Sequence, residues 1–240
     1  MSAKPIALAG AKCWSPTTGR RRPAWSWIRG FAHCCAFAAL LVLAPVATAE
    51  ASGPAASLDD GARADIGRIE TYLNRLKTVR ARFLQVSSTG EYAEGSLYLN
   101  RPGKLRIDYE PPVPVEIIAD GSRLIYHDHK LEQVTYLPLG STPAGILVKE
   151  KVSLNGGELT VTDFARGPKS LRVTVVRTDE PLEGSLTLVF GDRPLELRKW
   201  SISDAQRTVT NVSLMNARFG VPLDDELFRF RDPYVYQGGG

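Results

Sequence analysis

The chain has 240 residues, 43% of them hydrophobic, with 30 Lys/Arg against 26 Asp/Glu, a formal charge of +4 and three cysteines. This balance excludes a disordered, collagen-like or disulfide-scaffolded chain. The excess of positive charge sits in the first 49 residues, so it gives no reason to expect nucleic acid as a partner.

Those 49 residues read as an export leader. Arg20, Arg21, Arg22 and Arg29 form a basic region, Phe31 to Val46 an apolar run, and Ala47-Thr48-Ala49 a small-residue site, which predicts cleavage after Ala49. The apolar run is interrupted by His33 and Pro45 and falls short of the roughly 20 residues that a membrane-spanning helix needs. The leader holds six of the 30 basic residues and no acid, which leaves 24 basic against 26 acidic residues after it, formally −2. Cys13, Cys34 and Cys35 leave with it, so the mature chain has no disulfide, thiol nucleophile or Cys-bound metal. The expected organisation is a leader over 1–49, a small-residue tether over 50–57 and one domain over 58–240.

Leu58, Ala62, Ile66, Ile69, Leu73, Leu76 and Val79 recur every three or four residues, the stripe of an amphipathic helix, with Asp59 and Asp60 at its positive end. Alternating segments follow at 80–88, 92–100, 104–109, 115–119, 123–127 and 131–137. In Gly95 to Glu110, Leu97, Leu99 and Arg101 share one strand face, so an arginine ends an apolar row just before a Pro102-Gly103 turn. That guanidinium must reach water or find acceptors. Leu105, Ile107 and Tyr109 resume the alternation after the turn.

Pro138 to Val152 breaks the pattern and reads as a short helix in a loop. Thr142 suits its N-cap, Pro143 its first position, and Ile146 and Leu147 give it a small apolar face. It is a plug for the sheet or a movable lid. Strand patterns then return at 158–164, 170–177, 184–190, 195–203 and 208–214, with a break in phase at Lys199-Trp200 that predicts a β-bulge. One helix followed by short strands at hairpin spacing predicts a mainly β fold with helices (α+β). Its core is an incomplete antiparallel barrel, a half-barrel covered by the N-terminal helix and the short lid helix.

Catalytic patterns are sparse, and neither an enzyme nor a cofactor is expected. His127 and His129, two apart, offer two metal ligands on one strand face, but no third stands at a readable spacing, and Tyr126 to Lys130 reads more simply as a polar turn. Asp224-Asp225-Glu226 reads as a turn with a helix-start charge bias. An exported, cysteine-free curved sheet with an apolar inner face suggests a container for apolar cargo.

The stretches Leu76 to Gln85, Gly95 to Tyr109, Ile118 to Tyr126, Leu131 to Val134, Thr142-Pro143 and Phe228 to Phe230, in this order and spacing, resemble the LolA family of periplasmic lipoprotein carriers. The resemblance runs from about Leu58 to Pro233. It implies a monomeric periplasmic protein whose cavity holds lipoprotein acyl chains, with Phe83, Leu97, Leu99, Leu105, Ile107, Ile66, Ile69, Leu73 and Leu76 as its walls. It implies a latch at Arg101 that bonds to the lid (Thr142, Pro143, Ile146, Leu147) and keeps the empty cavity shut. Implied partners are the lipoproteins, an inner-membrane ABC-type release complex and an outer-membrane lipoprotein receptor. Two features depart from the family pattern: Ala144-Gly145 stand where bulkier lid residues are common, and Leu105 and Ile107 where aromatics are. A LolB-like acceptor, an RseB-like sensor and a free-lipid carrier share the expected fold, and a metal-dependent enzyme using His127 and His129 is the alternative of a different class.

Overall fold

The computed structural model describes residues 55–141, 145–154 and 156–234. The leader, its cleavage site and the lid residues Thr142 and Pro143 lie outside them.

Asp59 caps the first helix, its carboxylate accepting the Ala62 N–H at 2.6 Å, and α1 runs over Asp60–Arg75. Ile66, Ile69 and Leu73 are its buried stripe. The stripe was expected to reach Val79. The helix stops earlier: Leu76 turns extended as its C-cap, and Val79 is a buried residue of the first strand. Leu76 and Val79 keep the helical spacing of the stripe, but the strict alternation of Val79, Ala81 and Phe83 belongs to a strand.

Six strands follow: β1 (Thr78–Ser87), β2 (Tyr92–Asn100), β3 (Lys104–Tyr109), β4 (Val115–Asp120), β5 (Arg123–Asp128) and β6 (Gln133–Pro138). A 3-10 turn at Leu139–Ser141 leads to a one-turn helix, α2 (Gly145–Val148). The second group is β7 (Leu159–Arg166), β8 (Ser170–Arg177), β9 (Gly184–Gly191), β10 (Glu196–Asp204) and β11 (Val209–Phe219), and a 3-10 turn at Asp225–Phe228 comes last.

All eleven strands form one antiparallel sheet in the order β6-β5-β4-β3-β2-β1-β11-β10-β9-β8-β7. The two meanders join where β1 pairs with β11. The sheet does not close, since β6 and β7 remain as edges, and this is the incomplete barrel that the sequence predicts. Register shifts interrupt β1 between Arg80 and Arg82, β7 between Val161 and Asp163, and β10 between Leu197 and Lys199. The last is the expected bulge, centred just before Lys199-Trp200. Such insertions bend a strand and increase its twist.

Alternation divides the residues between two faces. Leu97, Leu99, Leu105, Ile107 and Tyr109 join one apolar cluster with the helix stripe, while the intervening Arg82, Glu94, Arg106 and Asp108 make ion pairs on the other face. The β2–β3 turn passes close to the β4–β5 turn. Gly103 has φ +81°, and a Cβ there would meet Gly121 Cα at 2.8 Å. Gly103→Ala therefore adds left-handed backbone strain to an overpacked contact. Urea unfolding should show a loss of about 2–4 kcal/mol, and a loss below ~0.5 kcal/mol would rule out the close approach.

Candidate functional site

The residues expected to wall a cavity come together. Phe83, Leu97, Leu99, Leu105 and Ile107 from β1–β3 and Ile66, Ile69, Leu73 and Leu76 from α1 and its cap are all buried in one cluster. Phe83 meets Tyr109 edge to face, with ring centroids 5.3 Å apart. Trp200 of β10 belongs to the same cluster, and its indole Nε1 has no hydrogen-bond partner among the described residues. The other three tryptophans, Trp14, Trp25 and Trp27, precede Glu50, so Trp200 is the single tryptophan of 50–240.

Arg101 stands at the end of the apolar row, only 7% exposed. Its side chain does not snorkel to water. Nε donates to the Lys149 carbonyl at 2.8 Å, one terminal nitrogen donates to the same carbonyl and to that of Glu150 at 3.4 Å, and the other donates to the Leu73 carbonyl. Leu73 lies in the last turn of α1, where carbonyls lack helical partners and the helix dipole is negative. Burial lowers the Arg101 pKa from its ordinary value, yet a guanidinium keeps its proton at any physiological pH. The backbone reinforces the junction: Arg101 N–H donates to Lys77 O at 2.8 Å, and Gly103 N–H to Val148 O at 2.8 Å.

The segment after α2 is stitched to α1 as well. Asn74 exchanges two hydrogen bonds with the Val152 backbone, each 2.8 Å, and Glu70 accepts the Leu154 N–H at 2.9 Å. Val148, Val152 and Leu154 are each 1% exposed. Ile146 and Leu147, expected to be the apolar face of this helix, are only partly buried at the edge of the cluster. The deeper anchor is Val148, which the sequence reading overlooked. A helix of one turn has no periodicity to reveal its buried side, although the i, i+2 spacing of Val152 and Leu154 was a usable signal. Gly145 has a local reason, because a Cβ there would collide with the Leu139 carbonyl oxygen.

A second constellation lies on the opposite face. Tyr126 to Lys130 is not simply a polar turn. His127 is a buried residue of β5, and its Nδ1 lies 3.0 Å from Glu116 Oε1. His129 Nε2 lies 3.9 Å from the same oxygen. Glu116 offers the third ligand atom that spacing alone did not show, and it pairs directly with His127 across the β4–β5 ladder. Folding the hairpin about Gly121-Ser122 predicts this register from sequence. The C-terminal strap covers the site: Asp225–Phe228 packs on β3 and β4, Phe230 lies edge-on to His127, and Tyr234 Oη lies 3.2 Å from His127 Nε2. Asp224 caps the 3-10 turn through the Glu226 N–H, as the acidic run predicted.

Residues 74–231 match the family model described as Outer membrane lipoprotein carrier protein LolA. An outer-membrane lipoprotein carrier protein of Methylococcus capsulatus is 32% identical over 179 residues, which span 69% of this chain and 83% of that one. Its counterpart in Nitrosospira multiformis is 37% identical over 179 residues, 70% of this chain and 84% of the relative. The crystal structure of a LolA superfamily protein from Nitrosomonas europaea aligns over 69% of this chain and 97% of its own, with a TM-score of 0.43 and 9% identity. The matched span holds the buried arginine, the segment it binds and every strand of the sheet, and the chain belongs to the LolA family.

Proposed function

We propose that the protein is a monomeric periplasmic carrier that takes lipoproteins from the inner to the outer membrane. Their acyl chains lie against the apolar face formed by α1 and β1–β3. The observation that carries this reading is Arg101, which joins the end of α1, the β2–β3 turn and the segment after α2 at the edge of that face. The α2 region, with Thr142, Pro143, Ile146 and Leu147, is the lid, and Arg101 is its latch. An inner-membrane ABC-type release complex loads the carrier, and an outer-membrane receptor takes the cargo. Export is through the leader, cleaved after Ala49.

Energetics explain the latch. Each buried CH₂ is worth about 0.8 kcal/mol, so a chain of ~16 carbons gains on the order of 10 kcal/mol in a fitted pocket. Such a complex would release its cargo too slowly for a shuttle. A stable closed state competes with cargo and lowers the apparent affinity in proportion to the open fraction.

Arg101→Leu leaves the Leu73, Lys149 and Glu150 carbonyls without the guanidinium and weakens the closed state. A loss of about 2 kcal/mol corresponds to roughly 30-fold tighter apparent binding. Transfer of a bound lipoprotein from the variant to acceptor membranes should slow accordingly, and release at the wild-type rate would remove the latch role. Trp200 supplies a second test. Titrating the mature chain with a triacylated peptide should shift its emission and saturate at one per chain, whereas an unacylated peptide should leave it unchanged. Equal responses to both peptides would contradict acyl-chain binding. Native mass spectrometry of the exported protein should find a lipoprotein bound one to one, and phospholipid in its place would point to a free-lipid carrier.

A further inference from the structure

We propose that Glu116, His127 and His129 bind one divalent first-row transition metal ion of the zinc class, under the C-terminal strap and away from the apolar face. These three side chains lie outside the apolar cluster assigned to cargo.

The donor set is two imidazoles and a carboxylate, the combination found in three-ligand zinc sites that keep a further position for water. One ligand atom from each residue lies within 4.8 Å of the other two. A zinc ion sits about 2.0–2.2 Å from such atoms, so the 3.0 Å and 3.9 Å separations to Glu116 Oε1 already suit a shared ion. His129 is about half exposed and has room to close the remaining gap. The sheet supplies the rest of the alignment: Glu116 and His127 are a directly opposed pair, and His129 follows His127 at i+2. The backbone N–H of His129 is tied to the Pro114 carbonyl at 2.8 Å, next to the strand that carries Glu116.

The surrounding groups orient the ligands as metal sites require. Tyr234 Oη occupies Nε2 of His127, which leaves Nδ1 for the ion. Arg106 holds the other carboxylate oxygen of Glu116 at 2.9 Å, which leaves Oε1 turned toward the two histidines. Arg106 is itself neutralised by Asp108 at 2.8 Å, and the site keeps the negative charge of Glu116 for a cation. In one neutral tautomer of His127, Nδ1–H donates to Glu116. With metal, the proton resides on Nε2 and donates to Tyr234, so binding to the neutral imidazole needs only a change of tautomer. An open cleft lined by Arg106, Pro111, Pro112, Pro114 and His129 leads to Glu116 and gives the ion a route in. Because Tyr234 and Phe230 belong to the strap, an ion bound here pins the strap to β4 and β5.

The test is a Co²⁺ titration of the exported chain, purified without a histidine tag and stripped with chelator, followed by visible absorption. The expected result is saturation at one Co²⁺ per chain, with displacement by Zn²⁺. His129→Ala and Glu116→Gln should each weaken binding at least tenfold while circular dichroism stays that of the wild type. His129 is exposed and the Glu116 change is nearly isosteric, so neither variant depends on refolding a buried position. Absence of saturable Co²⁺ uptake, or wild-type affinity in His129→Ala, would overturn the proposal.

Discussion

Burying a guanidinium costs several kcal/mol unless its N–H groups find acceptors. Arg101 finds them in carbonyls of two chain segments that Asn74 and Glu70 also tie together. The carbonyl of Leu73 is an orphan of the last turn of α1, and those of Lys149 and Glu150 belong to a stretch that has left α2 and not yet entered β7. Each would be an unpaired polar group at the margin of an apolar cluster. One side chain satisfies them together, from a turn whose own backbone also bonds to Lys77 and Val148. The junction therefore fixes how α1 lies on the sheet. The rest of α1 adds further holds along its length, with Asp65 to Arg166, Arg68 to Asp192, and Tyr72 Oη accepting the Leu197 N–H.

The two faces of the sheet are built by different rules. The inner face relies on hydrocarbon and on the helix laid across it, and its polar contacts are concentrated at the rim. The outer face of β3–β6 is held by charges and by the strap: Lys104 to Asp225, Arg106 to the Leu227 carbonyl, and Tyr136 to Asp232. Ile118 and Ile125 face this side and are buried all the same, and the 3-10 turn of the strap packs on β3 and β4. Phe228 of the strap is 2% exposed, and burying its ring removes apolar area from water at about 25 cal/mol per Å², which helps to hold a segment with so little regular structure.

The strands were legible in the sequence because period-2 patterns bounded by Gly, Pro and Asp leave few alternatives. The ends of β2, β3 and β8 match the residues expected from alternation alone. The end of α1 was not legible, since Leu76 and Val79 continue the helical spacing past the point where the chain turns extended. Placing Leu97, Leu99 and Arg101 on one face followed from spacing, but the partners of Arg101 could not, because a backbone carbonyl leaves no mark on residue identity. Glu116 was hidden for a different reason. It stands eleven positions before His127, and only the hairpin register makes the two neighbours.

Because the acceptors of Arg101 are main-chain oxygens, the contact has no titratable half on its far side. Mild acid, which would discharge a carboxylate, leaves it intact, so the junction holds across any pH at which the backbone stays folded. The same feature frees the side chains at 149 and 150 from any duty in the contact. Substitution of either side chain leaves the grip on the arginine unaffected.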